Sequence, residues 1–65
     1  MESLQEYKGF KFAYHPMQNK VCLIRKGKQY YIDARFRTYV EETRLWIDAF
    51  IADEEFENEM LNEYN

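Results

Sequence analysis

Residues 20–34 run Lys20-Val21-Cys22-Leu23-Ile24-Arg25-Lys26-Gly27-Lys28-Gln29-Tyr30-Tyr31-Ile32-Asp33-Ala34 and hold the pattern on which the architecture turns. Residues 21–24 form a continuous apolar run, the pattern of a central strand with two apolar faces. Arg25-Lys26-Gly27-Lys28 is a turn, because Gly27 can take the positive φ that a tight hairpin needs. From Gln29 onward the pattern alternates. Tyr30, Ile32 and Ala34 face one way, Tyr31 and Asp33 the other, as in a half-buried strand. The stretch is therefore strand, turn, strand.

Upstream, alternation also runs from Tyr7 to Tyr14, with Phe10, Phe12 and Tyr14 on one face and Lys11 and Ala13 on the other. The segment His15-Pro16-Met17-Gln18-Asn19 ends it, since proline cannot donate to a sheet ladder and asparagine tolerates turn geometry. Residues 1–6 are expected to be a loose leader. Downstream, Thr38 followed three residues later by Glu41 has the form of a capping box. At about 100° per residue, Tyr39, Val40, Thr43, Trp46, Ile47, Phe50 and Ile51 gather on one helical face. The expected fold is α+β in a single domain. A three-stranded antiparallel meander (about 7–14, 20–25 and 29–34) is packed by a C-terminal helix (about 38–52) that carries an acidic helical tail (53–64).

Two readings of that tail stand. In one, the helix breaks at Ala52-Asp53 and Asp53 caps a second short helix. In the other, the helix is continuous and carries a second stripe of Leu45, Ala49, Ala52, Phe56 and Met60. That stripe lies on a different face from the sheet-packing residues and resembles a short coiled-coil seam.

Size and composition set limits. The chain has 65 residues, 18% of them aromatic, and a formal net charge of −3. A chain this short buries only about 60% of its unfolded surface, so aromatic side chains must supply much of the core. Cys22 is the only cysteine and His15 the only histidine. An internal disulfide is thereby excluded, and a metal centre is not expected. Together with the absence of a signal-peptide pattern in the first residues, this favours a cytoplasmic protein. No apolar run approaches the roughly 20 residues that span a membrane. No cofactor is expected, because no glycine-rich phosphate loop is present. Neither is catalysis: Cys22 lies in an apolar strand, and neighbouring carboxylates such as Glu41 and Glu42 diverge around a helix.

Charge is divided along the chain. Residues 1–37 hold eight Lys/Arg and three Asp/Glu (8 − 3 = +5), whereas residues 38–65 hold one Lys/Arg and nine Asp/Glu (1 − 9 = −8). The acidic half places Asp53, Glu54, Glu55, Glu57 and Glu59 around Phe56 and Met60, and these seven are the residues expected to meet a protein partner with a basic surface. The basic half suggests an alternative, a small DNA-binding accessory factor. There Lys11, Arg25, Lys26, Lys28 and Arg35 would contact phosphates and Tyr31 would stack on a base. One apolar face of the central strand, either Val21/Leu23 or Cys22/Ile24, has no cover within the chain. A homodimer or another protein would cover it.

Two resemblances bear on these alternatives. The run from YKGFKF through RKGKQYYIDARF to RTYVEETRLWID (residues 7–48) resembles three-strand-plus-helix DNA-binding domains, those of plant ethylene-response regulators and the arm-binding domains of phage integrases. It departs from them in overall charge, since this chain has a pI near 5.0. The stretch from WIDAF through ADEEFENEM is similar in layout and acidity to one type of phage-encoded anti-CRISPR inhibitor, in which a terminal acidic helix acts as a nucleic-acid mimic. That resemblance implies a phage or mobile-element accessory protein, a stoichiometric inhibitor rather than an enzyme.

Overall fold

The structure, a computed structural model, describes the backbone of residues 4–63 and the side chains of residues 4–58. Four strands precede one helix: β1 (Gln5–Tyr7), β2 (Phe10–His15), β3 (Lys20–Arg25), β4 (Lys28–Asp33) and α1 (Tyr39–Glu63). The strands form one antiparallel sheet in the order β1-β2-β3-β4. The α+β class stands, but the meander has four strands rather than three.

The additional strand arises where a single strand from residue 7 to 14 was expected. Lys8 and Gly9 have φ of 48° and 85°, and the chain reverses there so that Tyr7 pairs with Phe10. A continuous strand would place Tyr7 and Phe10, three residues apart, on opposite faces. The two-residue turn brings both toward the helix. The β3–β4 hairpin repeats this geometry at Lys26 and Gly27, with φ of 51° and 79°. Positive φ at both central residues is the pattern of a type I′ turn, whose twist suits antiparallel strands. The leader expected over residues 1–6 is accordingly corrected: Gln5 and Glu6 belong to β1 and pair with Phe12 and Lys11.

Register places Phe10, Phe12 and Tyr14 beside Val21, Leu23, Tyr30 and Ile32 on one face of the sheet. Helix α1 covers that face. The core consists of Phe10, Phe12, Tyr14, Val21, Leu23, Tyr39 and Ile47, with Trp46, Phe50 and Ile51 packed against it. Several aromatic rings meet edge to face: Phe10 lies 6.1 Å from Trp46 and 5.7 Å from Phe50, at interplanar angles of 87° and 85°. Such pairs contribute about 0.5–1.5 kcal/mol beyond the area they bury. Thr43, also fully buried on the inner face of α1, has a hydroxyl with no hydrogen-bond partner.

Helix α1 is continuous through Ala52-Asp53, so the break is not made. Thr38 immediately precedes the helix, and its carbonyl accepts a bond from the Glu42 amide. The carboxylate that reaches back to the preceding chain is that of Glu42, which accepts from the Arg35 amide at 3.2 Å, rather than that of Glu41.

Candidate protein-binding surface

Twenty-five helical residues extend about 37 Å at 1.5 Å each, whereas a six-residue strand extends roughly 20 Å. The helix therefore outruns the sheet it covers. Ring contacts fix the direction: Tyr39 meets Phe12 and Tyr14, while Phe50 meets Phe10 and Tyr30, beside the Lys26-Gly27 turn. The last tie between helix and sheet is made by Glu54. Its carboxylate accepts two bonds from the Arg25 guanidinium, at 2.9 and 2.7 Å. That guanidinium also lies over the rings of Phe10 and Phe50, at 4.7 and 5.1 Å from their centroids. Glu54 falls on the core-facing side of the helix, and Arg25, half-buried at the end of β3, makes that position tenable.

A second tie holds the middle of the helix. Asp48 accepts a bond from Lys8 at 2.7 Å and from the Tyr7 hydroxyl at 3.1 Å. Arg44 places its guanidinium 5.4 Å from the Tyr7 ring centroid. Sequence reading did not anticipate the Asp48 contact, since register between β1 and the helix is a tertiary property.

These ties divide the predicted partner-binding residues. Glu54 is committed to Arg25, whereas Asp53, Glu55, Phe56 and Glu57 are exposed. The side chains of Glu59 and Met60 lie outside the described residues. The two ion pairs among the described residues are Lys8–Asp48 and Arg25–Glu54. Negative charge is thus partly neutralised where the helix crosses the end of the sheet and left unpaired at Asp53, Glu55 and Glu57.

The continuous helix also places its second stripe. Leu45, Ala49, Ala52 and Phe56 are all exposed. At about 100° per residue they fall within roughly 60° of arc, about 160° around the helix from Thr43, Ile47 and Phe50. Leu45 and Phe56 expose 70% and 62% of their surface, large values for apolar side chains.

The alternative, nucleic-acid-binding residues do not form one surface. Arg25 is turned inward to Glu54. Lys26 and Lys28 lie at the β3–β4 turn, and Arg35 lies beyond the other end of β4, roughly 20 Å away along a six-residue strand. Lys11 and Tyr31 are exposed on the outer face of the sheet, among Ala13, Cys22 and Ile24. Hydrogen bonding with the Cys22 thiol pushes the Tyr31 phenol above its ordinary value. The uncovered face of the central strand is therefore the Cys22/Ile24 face. Among the described residues, no group of three His, Cys, Asp or Glu side chains could hold a metal ion. No described helix is long and apolar enough to cross a membrane.

Both tying carboxyls are held below their ordinary range. The Arg25 hydrogen bonds are the main cause for Glu54, with added attraction from Lys26 and Lys28. The Lys8 bond is the main cause for Asp48, with a further contribution from the Tyr7 hydroxyl. A carboxyl whose folded pKa is depressed contributes stability above its unfolded value, roughly 4.3 for Glu and 3.9 for Asp, and loses it as pH falls through the folded value. The Glu54→Gln variant should therefore melt below the parent at neutral pH, and the gap should close as pH falls from about 4 toward 2. Thermal unfolding followed by circular dichroism across that range checks this. A gap that stays constant with pH would show that the Glu54 charge contributes nothing.

Set beside known proteins, this α+β chain matches no family model, no curated protein and no solved structure.

Proposed function

We propose that this chain is a non-enzymatic, stoichiometric protein-binding regulator or inhibitor, which uses the exposed acidic face of α1 against a basic surface on its partner. The observation that carries this reading is the group Asp53, Glu55, Phe56 and Glu57. These side chains are exposed where the helix passes the end of the sheet, with Asp53 and Glu57 on one side of Phe56 and Glu55 on the other, and the three carboxylates have no ion pair there. Unpaired carboxylates beside a large exposed ring provide steering charge and an apolar anchor together. The layout's resemblance to phage-encoded anti-CRISPR inhibitors extends the proposal to a phage or mobile-element origin and to a nucleic-acid enzyme as target.

Binding rather than turnover is also supported by the placing of the nucleophile. Cys22 pairs across the sheet with Ala13 and Tyr31, while His15 pairs with Lys20 in a different row. The DNA-binding alternative is weakened because Arg25 is engaged internally.

Affinity capture from the native host tests the proposal. The parent chain should retain a basic partner protein, and the triple variant Asp53→Lys, Glu55→Lys, Glu57→Lys should lose at least nine-tenths of it, about 1.4 kcal/mol or more in binding. Retention of that partner by the triple variant would overturn the assignment of this face. Salt-sensitive gel-shift binding to DNA, abolished by Lys26→Glu with Lys28→Glu, would replace the reading with the alternative.

A further inference from the structure

The acidic face specifies more than a charge. We infer that α1 binds a basic amphipathic helix of its partner, laid along the stripe Leu45, Ala49, Ala52 and Phe56; this inference rests on the acidic face being the binding face. The four residues recur at spacings of 4, 3 and 4, the rhythm of a helix–helix seam. Leu45 and Phe56 are about 16 Å apart along the axis at 1.5 Å per residue. The alanines between them let a second helix approach closely, and the two large side chains flank it at either end.

Charge selects the occupant. On the helical wheel, Glu41 and Glu55 line one side of the stripe, with Asp48 between them held by Lys8, and Glu42 and Asp53 line the other. The single cation of the helix, Arg44, lies over the Tyr7 ring beside Asp48 and leaves the Glu42/Asp53 side without a cation from the helix. A second copy of this chain fits poorly in either orientation. An antiparallel pairing sets Glu41 and Glu55 against the same residues of the other copy. A parallel pairing sets them against Glu42 and Asp53. Only a helix with Lys or Arg on both sides of its apolar seam neutralises both flanks.

At the N-terminal end of the stripe, Leu45 and Phe36 line an open cleft of about 660 Å³ together with Arg35, Arg37, Thr38, Glu41 and Glu42. The cleft can take the terminal apolar side chain of the bound helix.

Three synthetic peptides of about 18 residues, long enough to cover the stripe, test this by fluorescence anisotropy against the intact chain. One has a leucine seam flanked by lysines, one the same seam flanked by glutamates, and one the basic composition with the seam scrambled. The basic seam peptide should bind at least tenfold more tightly than either of the others. Leu45→Glu with Phe56→Glu, both at exposed positions, should abolish the preference for the basic seam peptide over the scrambled one without altering the circular dichroism spectrum. Equal binding of the seam and scrambled basic peptides would overturn the helix-in-seam inference while leaving the acidic face in place. Failure of both basic peptides to exceed the acidic one would overturn both readings. Sedimentation showing a dimer that Leu45→Glu dissociates would assign the stripe to a second copy instead.

Discussion

Phe10→Ala should remove most of this protein's stability at room temperature. Phe10 is wholly buried at the start of β2 and touches both layers of the fold. Its ring contacts Tyr30 on the sheet and Trp46 and Phe50 on the helix, and it carries the Arg25 guanidinium on its face. Deleting a buried phenylalanine costs about 3–5 kcal/mol, through lost transfer energy and the cavity left behind. At 0.05–0.15 kcal/mol per residue, a 65-residue chain has only about 3–10 kcal/mol in total. Truncation also removes one wall of the Arg25 site and loosens the Glu54 tie. The expected result is loss of the cooperative urea transition and of the near-ultraviolet aromatic signal. Leu45→Ala, at an exposed position, should change stability by less than about 0.5 kcal/mol. If Phe10→Ala retained a sharp transition within about 1 kcal/mol of the parent, the core as described would not be the one that holds the chain together.

Thr43→Val should move stability the other way. Thr43 is fully exposed to the core and closed to solvent, yet its hydroxyl has no partner. An unsatisfied buried hydroxyl costs about 1–3 kcal/mol. Valine has nearly the same shape and a similar helix propensity, so the substitution removes the polar atom and little else. A gain of about 1 kcal/mol is expected, which is about 4–8 °C in melting temperature for a domain of this size. Thr43→Ser separates the two contributions. It keeps the hydroxyl and loses a methyl group, and should be destabilising. No change in Thr43→Val would mean that the hydroxyl is satisfied in solution.

Much of the fold was legible because side-chain period reports local backbone geometry. Alternation exposed the hairpin of residues 20–34, and the 3.6-residue rhythm located Ile47 and Phe50 on the buried helix face. The Lys8-Gly9 turn was harder to see, because Phe10, Phe12 and Tyr14 continue an alternation that reads acceptably back to Tyr7. Two signals were nonetheless present. Lys8-Gly9 repeats the dipeptide Lys26-Gly27, and Tyr7 lies at an odd spacing from the inward-facing Phe10. The continuity of α1 was obscured by Glu54, a carboxylate in the path of the apolar face. Its partner lies 29 residues away in the chain, at Arg25, so local periodicity carried no sign that the charge would be met.

Period and composition along the chain are enough to specify the α+β class, the shared face of Phe10, Phe12 and Tyr14, that of Tyr30 and Ile32, and the separation of charge. Which charges remain free is a property of the folded chain. Ion pairing depends on where remote segments meet: Arg25 at the end of β3 reaches Glu54 and Lys8 reaches Asp48, which leaves Asp53, Glu55 and Glu57 without an ion pair among the described residues.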